Sequence, residues 1–126
     1  MAVQLSDEVM DRLIAACNSA TWFLARVTGD QIALSPDMAD APSWAEESIR
    51  ESLGVVMDGG DIRDIWRKWS QSKKNKGWVY GEVKDPDANP PTHPCLVDDY
   101  EDLSPHERFK DQVFAGLLQL AQQGQL

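Results

Sequence analysis

The sequence predicts a small, mainly α-helical domain of about four helices, with a short β-strand or hairpin around residues 77–84. Apolar residues recur at helical spacing in four segments, and these segments begin or end at capping and breaking residues. One segment between two glycines instead carries aromatic and β-branched residues. The chain of 126 residues fits one domain and shows no repeat or interior boundary, so a single domain over residues 1–126 is expected.

The first predicted helix begins after Ser6 and ends at Gly29. Ser6 can cap the helix through its hydroxyl, and the two acidic residues that follow suit the positive end of the helix dipole. Apolar residues recur at helical spacing from Val9 to Leu24. Residues 30–42 are expected to form a connector, because their two prolines limit helix continuation.

Capping residues also mark the second and third helices. Ser43 is expected to cap the second helix in a capping box with Glu46, and two glycines end it after residue 58. Asp61 is expected to cap the third helix, which ends near residues 75–77. Its apolar residues have i, i+3, i+4 and i+7 spacing: Ile62, Ile65, Trp66 and Trp69. This spacing favours a place in the core for Trp66 and Trp69.

The segment of residues 77–84 is expected to be the strand. Residues 85–95 carry four prolines and are expected to form a loop. A last helix begins at Ser104, with Pro105 at its first position. Its buried face is expected to comprise Phe109, Val113, Phe114, Leu117 and Leu120. The N-terminal helices of residues 6–58 are expected to pack on the remainder.

The net charge of −9, from 21 acidic and 12 basic residues, argues against nucleic acid as a partner, because this field repels phosphate backbones. The basic run at residues 73–76 is interpreted as a solvated helix end, where cations complement the dipole. No segment approaches the roughly 20 apolar residues of a membrane span. The acidic N-terminus lacks the basic start of a signal peptide, so a reducing cytoplasm is expected, that of the host if a virus encodes the chain.

No motif for catalysis or for a cofactor is present. Cys17 and Cys95 lie far apart and suggest neither a disulfide framework nor a zinc site, and Cys17 is expected to be a small buried hydrophobe. No glycine-rich phosphate loop or calcium loop occurs. A lone histidine such as His93 is weak grounds for general-base catalysis. We therefore expect no enzyme, no metal and no cofactor.

Two stretches of sequence resemble the ryanodine-receptor repeat (RyR) family. The first is Gly-Trp-Val-Tyr-Gly-Glu at residues 77–82, directly after a helix. The second is Thr-His-Pro-Cys-Leu-Val at residues 92–97, followed by Tyr100, Leu103 and Glu107. This resemblance covers about residues 61–122, and the N-terminal helices are similar to those of stand-alone family members from bacteriophages and bacteria. The acidic residues 98–102 depart from the family pattern.

The resemblance implies a small helical module with a short β element. In the channels such modules are regulatory and contact other proteins, whereas in prokaryotes and their viruses the family is placed among sensors of nucleotide-derived signals. Trp78 and Tyr80 lie two apart, so on a strand they point the same way. With His93 and Tyr100 they could form the wall of a pocket that stacks a planar base. Packing of Trp78 and Tyr80 in the core is an equal alternative.

The expected function is therefore a non-enzymatic module that binds a small nucleotide-derived molecule, an adenine nucleotide or an ADP-ribose-like signal with a role in phage biology or defence. Lys76 or Lys84 would contact its phosphate, and the loop of residues 85–94 would form one rim of the pocket. The alternative is a protein-interaction module with an exposed aromatic patch, for which a second copy of the chain is one partner. A pocket with convergent polar groups favours the first function and a flat apolar patch the second.

Overall fold

The computed structural model of the chain describes residues 5–29 and 35–126. In this part of the chain there are four helices, α1 (Asp7–Thr28), α2 (Ser43–Met57), α3 (Ile62–Asn75) and α4 (Pro105–Gln122), and two short strands, β1 (Val79–Tyr80) and β2 (Thr92–His93). The predicted mainly α fold is confirmed. The predicted connector of residues 30–42 is described from Ser35 onward, and residues 30–34 lie outside the described residues.

Local side-chain chemistry sets the ends of α1 and α3. The Ser6 hydroxyl accepts a hydrogen bond from the Val9 N–H at 3.3 Å, and Gly29 ends α1 in the left-handed conformation at φ 77°. Asp61 accepts from the N–H groups of Arg63 and Asp64, while the Asp64 carboxylate accepts from the Asp61 N–H. Both ends are where the sequence predicts them.

The start of α2 differs from the prediction by one residue. Ser43 is already helical, Pro42 is the N-cap, and no side-chain capping bond forms. The predicted capping box of Ser43 and Glu46 is therefore wrong, because Glu46 instead accepts a hydrogen bond from Arg50 one turn later. Pro42 has an extended backbone with φ fixed near −64°, which suits the residue before a helix.

Helices α1, α2 and α4 share the main core. Its buried members are Leu13, Ile14, Cys17, Ile49, Leu53, Leu118 and Ala121. Cys17 is fully buried, and burial raises the pKa of its thiol to about 12, which confirms it as a small core side chain. Helix α3 packs against α2 and α4, outside this core. Within residues 5–29 and 35–126, no helix has the length and apolar character that crossing a bilayer requires.

The predicted strand is present, and its partner comes from the loop that follows. Strands β1 and β2 are parallel, with Val79 opposite Thr92 and Tyr80 opposite His93. The pair is therefore not a hairpin, whose strands are antiparallel. Beyond β1, the chain crosses so close to β2 that a Cβ atom on Gly81 would lie 2.5 Å from the Thr92 Cβ. This close approach accounts for glycine at residue 81.

Candidate functional site

A cleft of about 620 Å³ lies on the α2, α3 and α4 side of the molecule. Its volume falls in the roughly 300–1,000 Å³ range of small-molecule sites. All four helices and the segment after β2 contribute to it. The side chains discussed below are Trp44, Glu47, Glu51, Trp66, Trp69, Lys73, Lys76, Lys84, His93, Cys95, Glu107, Lys110 and Asp111.

Three tryptophans supply the aromatic wall of the cleft. Trp44 on α2 is 52% exposed, so its ring is open to a ligand. Trp66 donates from Nε1 to the Cys95 carbonyl oxygen at 2.9 Å, and the Trp69 ring meets the His93 ring edge-on at 4.8 Å between centroids. The prediction that Trp66 and Trp69 belong to the core needs correction, because both are half-buried and line the cleft.

Four lysines surround the same space. Lys73 and Lys76 come from the C-terminal end of α3, Lys84 from the segment after β1, and Lys110 from α4. Burial lowers the pKa of Lys73, and the charges of Lys76 and Lys84 lower it further. These three ammonium groups are therefore near enough to repel one another, which an anion between them would relieve.

His93 lines the cleft near Lys84 and near Glu107 of α4, whose charges act on it. Its Nδ1 accepts a hydrogen bond from the Cys95 N–H at 3.0 Å, so in the neutral ring Nε2 carries the proton. Burial lowers the pKa of His93 to about 4, and the charge of Lys84 adds to that effect. The imidazole is therefore neutral at pH 7, with Nε2 as a donor.

Carboxylates on α4 and α2 also line the cleft. On α4, Glu107 pairs with Lys110 at 2.8 Å, and Asp111 lies one turn further on. Burial raises the pKa of Asp111 to about 7, with Lys110 opposing the rise and Glu107 adding to it. On α2, Glu47 and Glu51 are exposed. Four carboxylates and four lysines thus line the cleft, with Lys73, Lys76 and Lys84 near one another.

The structure brings three of the six predicted site residues into this cleft: Lys76, Lys84 and His93. Trp78 does not line it, although its ring lies 6.2 Å from that of His93 and 4.6 Å from the Lys73 ammonium. Tyr80 is 55% exposed outside the cleft. The predicted wall of Trp78, Tyr80, His93 and Tyr100 is therefore not formed as one surface.

Tyr100 is a core residue rather than a member of the site. It is 7% exposed, its ring packs edge-on against Trp66 at 6.2 Å, and Arg63 lies over it at 5.9 Å. Burial raises the pKa of its phenol. Its hydroxyl finds no hydrogen-bond partner among the described residues.

The proline-rich loop does not form the rim that was expected of it. His93 lines the cleft, but residues 85–92 do not. Asp85 and Thr92 instead exchange two backbone hydrogen bonds, at 3.0 and 3.1 Å, which closes the loop upon itself. The rim consists of the residues at the base of the loop, Lys84 and His93.

Sequence reasoning missed Trp44, Asp111 and the lysines Lys73 and Lys110 as site residues. A signal was present for Lys73, which follows Trp69 by one helical turn on the same helix. The sequence contains no such signal for Lys110 or Asp111, because the apolar spacing of α4 is typical of an ordinary amphipathic helix.

Among the residues that the structure describes, no group of three or more His, Cys, Asp or Glu side chains is arranged to hold a metal ion. Comparisons with protein-family models, curated proteins and solved structures find no match for this chain.

Proposed function

We propose that the chain is a non-enzymatic binding module for a small nucleotide-derived molecule, which occupies the cleft between α2, α3 and α4. The observation that carries this proposal is the meeting of exposed Trp44 with the lysine cluster of Lys73, Lys76 and Lys84 in one cleft of about 620 Å³. An aromatic ring can stack a planar base, and clustered ammonium groups bind phosphate.

Each end of such a ligand has a matching contact. Trp66 and Trp69 have their rings engaged with Cys95 and His93, whereas Trp44 presents an exposed ring. The base is therefore assigned to Trp44. The phosphate is assigned to Lys76 and Lys84, both exposed, together with Lys73, whose partial burial strengthens its attraction for an anion. The neutral His93 adds a hydrogen-bond donor between them.

We also propose membership of the ryanodine-receptor repeat family. The support is that the two family-like stretches are hydrogen-bonded partners, since β1 lies within residues 77–82 and β2 within residues 92–97. The two stretches thus form one structural unit. His93 belongs to the second stretch, and Lys84 follows the first by two residues. Superposition of an experimental structure on a family member tests this assignment, and a different helix order around the strand pair would contradict it.

Calorimetric titration with ADP and ADP-ribose, supported by thermal shift, tests the binding function. A ligand that binds the native state raises the melting temperature. We expect binding that weakens about fivefold in Lys76→Gln or Lys84→Gln, since an exposed charge contributes up to about 1 kcal/mol. Lys74→Gln is the matched control, because Lys74 is exposed on the same helix and does not line the cleft.

The proposed stacking of the base on Trp44 is tested by one variant and one matched control. Loss of a base–aromatic stack weakens binding by about 1–3 kcal/mol, so Trp44→Ala is expected to lower the affinity roughly tenfold or more. Phe109, which the sequence predicted to be buried, is 49% exposed and lies outside the cleft. Phe109→Ala therefore removes a similarly exposed ring from α4 and is expected to leave the affinity unchanged. The proposal would be refuted if neither ADP nor ADP-ribose binds, or if Lys74→Gln and Lys76→Gln lower the affinity equally. Recovery of the ligand chemically unchanged is expected of a non-enzymatic module.

A second function, protein interaction, is favoured by the apolar side chains of the strand segment. Val79, Tyr80 and Val83 are all exposed and lie outside the cleft. Sedimentation of the wild type at rising concentration tests whether this surface binds a second copy of the chain. Self-association that Tyr80→Ser abolishes would support this function, and a monomer at all concentrations would count against a second copy as the partner.

A further inference from the structure

Asp111 is a half-buried carboxylate that receives no hydrogen bond from any residue in the described part of the chain. It lies on α4 and lines the cleft. The nearby cation, Lys110, is held by Glu107 at 2.8 Å instead. A partly desolvated carboxylate without donors is destabilising for the folded chain. Such a group in a cleft is a candidate ligand contact.

The charges around the cleft limit which donor can approach Asp111. Four lysines line the same space, so a cationic amine on the ligand would be repelled. The acidic residues Glu47 and Glu51 lie on α2 and are exposed, so solvent screens their charges. A neutral donor is the better match for Asp111. Nucleotides carry neutral donors on the sugar hydroxyls and on the amino groups of the base, and since the base is assigned to Trp44, the sugar hydroxyls are the donors assigned to Asp111.

The geometry points to Asp111 as the residue that binds the sugar hydroxyls of the ligand, so that the cleft selects a ribonucleoside phosphate over its deoxy analogue. This inference rests on the proposed nucleotide-binding function. A carboxylate that accepts hydrogen bonds from ribose hydroxyls is an established means of recognising nucleosides. The arrangement assigns the base to Trp44, the sugar to Asp111 and the phosphate to the lysines.

The test is calorimetric titration of the full chain with ADP and with 2′,3′-dideoxy-ADP at pH 8. The wild type is expected to bind ADP tenfold or more tightly, roughly the contribution of a hydrogen bond to a charged group. Asp111→Asn is expected to bind the two nucleotides within about twofold of each other, because an amide oxygen is a weaker acceptor than a carboxylate. The affinity for the dideoxy nucleotide is expected not to fall, because the substitution removes a negative charge from a cleft that binds an anion.

The matched control is Glu51→Gln, which removes a cleft carboxylate that is exposed rather than half-buried and is expected to leave the preference for ADP intact. Lowering the pH from 8 to 6 is expected to reduce that preference in the wild type, since Asp111 takes up a proton, but not in Asp111→Asn. Equal binding of both nucleotides by the wild type, or a preference that survives in Asp111→Asn, would overturn the inference while leaving the binding function in place. Failure of both nucleotides to bind would overturn both.

Discussion

At the scale of single residues, the side chains around His93 form a connected row. The Lys73 ammonium lies 4.6 Å from the centre of the Trp78 ring, that ring lies 6.2 Å from His93, and His93 lies 4.8 Å from Trp69. A cation over an indole face is attracted by the ring quadrupole. Trp78 thus holds Lys73 at the edge of the cleft without lining the cleft itself.

Trp78→Ala is expected to destabilise the protein by about 2 kcal/mol, less than the 3–5 kcal/mol of a fully buried aromatic residue, because Trp78 is only half-buried. Urea denaturation followed by circular dichroism measures the change. Tyr80→Ala is the control, since Tyr80 is exposed on the adjacent strand and its replacement should alter stability by less than about 0.5 kcal/mol. Equal effects of the two substitutions would show that the contacts of Trp78 do not stabilise the fold.

Asp111→Asn is expected to stabilise the protein at pH 8 by about 2–4 kcal/mol and to have little effect at pH 4. The pKa of Asp111 is raised to about 7 from an ordinary value of 3.8, so the folded state binds its proton more tightly than the unfolded state does. Protonation of Asp111 therefore stabilises the wild-type fold. This stabilisation is fully present below about pH 4 and is lost as the pH rises through 7. Asparagine cannot ionise, so the variant escapes this loss.

The difference in unfolding free energy between the wild type and Asp111→Asn separates the effect of Asp111 from that of His93, whose pKa is also shifted. His93 has a lowered pKa of about 4, so its contribution is present above about pH 6.5 and is lost as the pH falls toward 4. Because His93 titrates in both proteins, its contribution cancels from the difference. Urea denaturation at pH 4, 6 and 8 measures the effect, and an identical difference at every pH would contradict the assignment.

At the scale of the elements, the sequence predicts well what local chemistry decides. The ends of α1 and α3 follow from Ser6, Gly29 and Asp61, each of which acts on backbone groups within four residues. The pairing of β1 with β2 joins residues thirteen apart in sequence, and no local pattern specifies such a partner. The one-residue error at Ser43 arose because a serine before an apolar run resembles a cap whether or not its hydroxyl is used.

The sequence predicted only part of the candidate site, because local patterns do not show which elements come together around a cleft. Lys76, Lys84 and His93 were assigned on chemical character, and all three line the cleft. Trp66 and Trp69 were assigned to the core because helical spacing identifies the face of a helix that meets other elements, and a cleft between helices uses that same face. Tyr100 was assigned to the site because a family-like motif contains it, whereas its ring is buried against Trp66.

Gly81→Ala is expected to destabilise the strand pair by about 1–3 kcal/mol, the usual effect of overpacking. The added methyl group would meet the Thr92 Cβ at 2.5 Å, and Thr92 is held in place by a hydrogen bond from its hydroxyl to the Val83 carbonyl at 2.8 Å. Hydrogen exchange at the Val79 amide, which donates to Pro91, reports opening of the pair.

Gly116→Ala is the matched control for that substitution. Gly116 lies within α4, and a Cβ atom there meets nothing within 4 Å. Alanine stabilises a helix interior relative to glycine by about 0.5–1 kcal/mol, so the two glycine substitutions are expected to act in opposite directions. Stabilisation by both would show that the strand pair can move apart at little cost.

At the scale of the whole molecule, the distribution of charge matters more than its total. The chain carries a net charge of −9, yet Lys73, Lys76, Lys84 and Lys110 converge on one cleft. Around Lys73, Lys76 and Lys84, fields from neighbouring like charges add together and draw small anions toward these residues. A duplex requires a basic surface that extends along several phosphates, and four lysines around a cleft do not supply one.

We therefore expect no useful affinity for duplex DNA or RNA at physiological salt, in contrast to the binding of single nucleotides proposed above. A gel-shift assay with a 20-base-pair duplex at 50 and 150 mM salt measures this. Binding that is tight and falls steeply with salt would contradict the expectation, because that dependence reports the release of counterions from many phosphate contacts. Competition of the duplex with ADP would locate such binding in the cleft.

The two cysteines are expected to differ in thiol reactivity, and that difference offers a way to measure whether the cleft is occupied. Cys17 is sealed in the core, and its thiol has a pKa of about 12, so it stays unreactive toward alkylating reagents while the chain is folded. Cys95 is partly exposed and lines the cleft. We expect iodoacetamide to modify Cys95 alone in the native protein, and ADP to slow that reaction. Mass spectrometry of the modified peptide follows both effects, and modification of Cys17 at an equal rate would show that the core opens. The rate of alkylation at Cys95 would thus report occupation of the cleft in the unsubstituted protein.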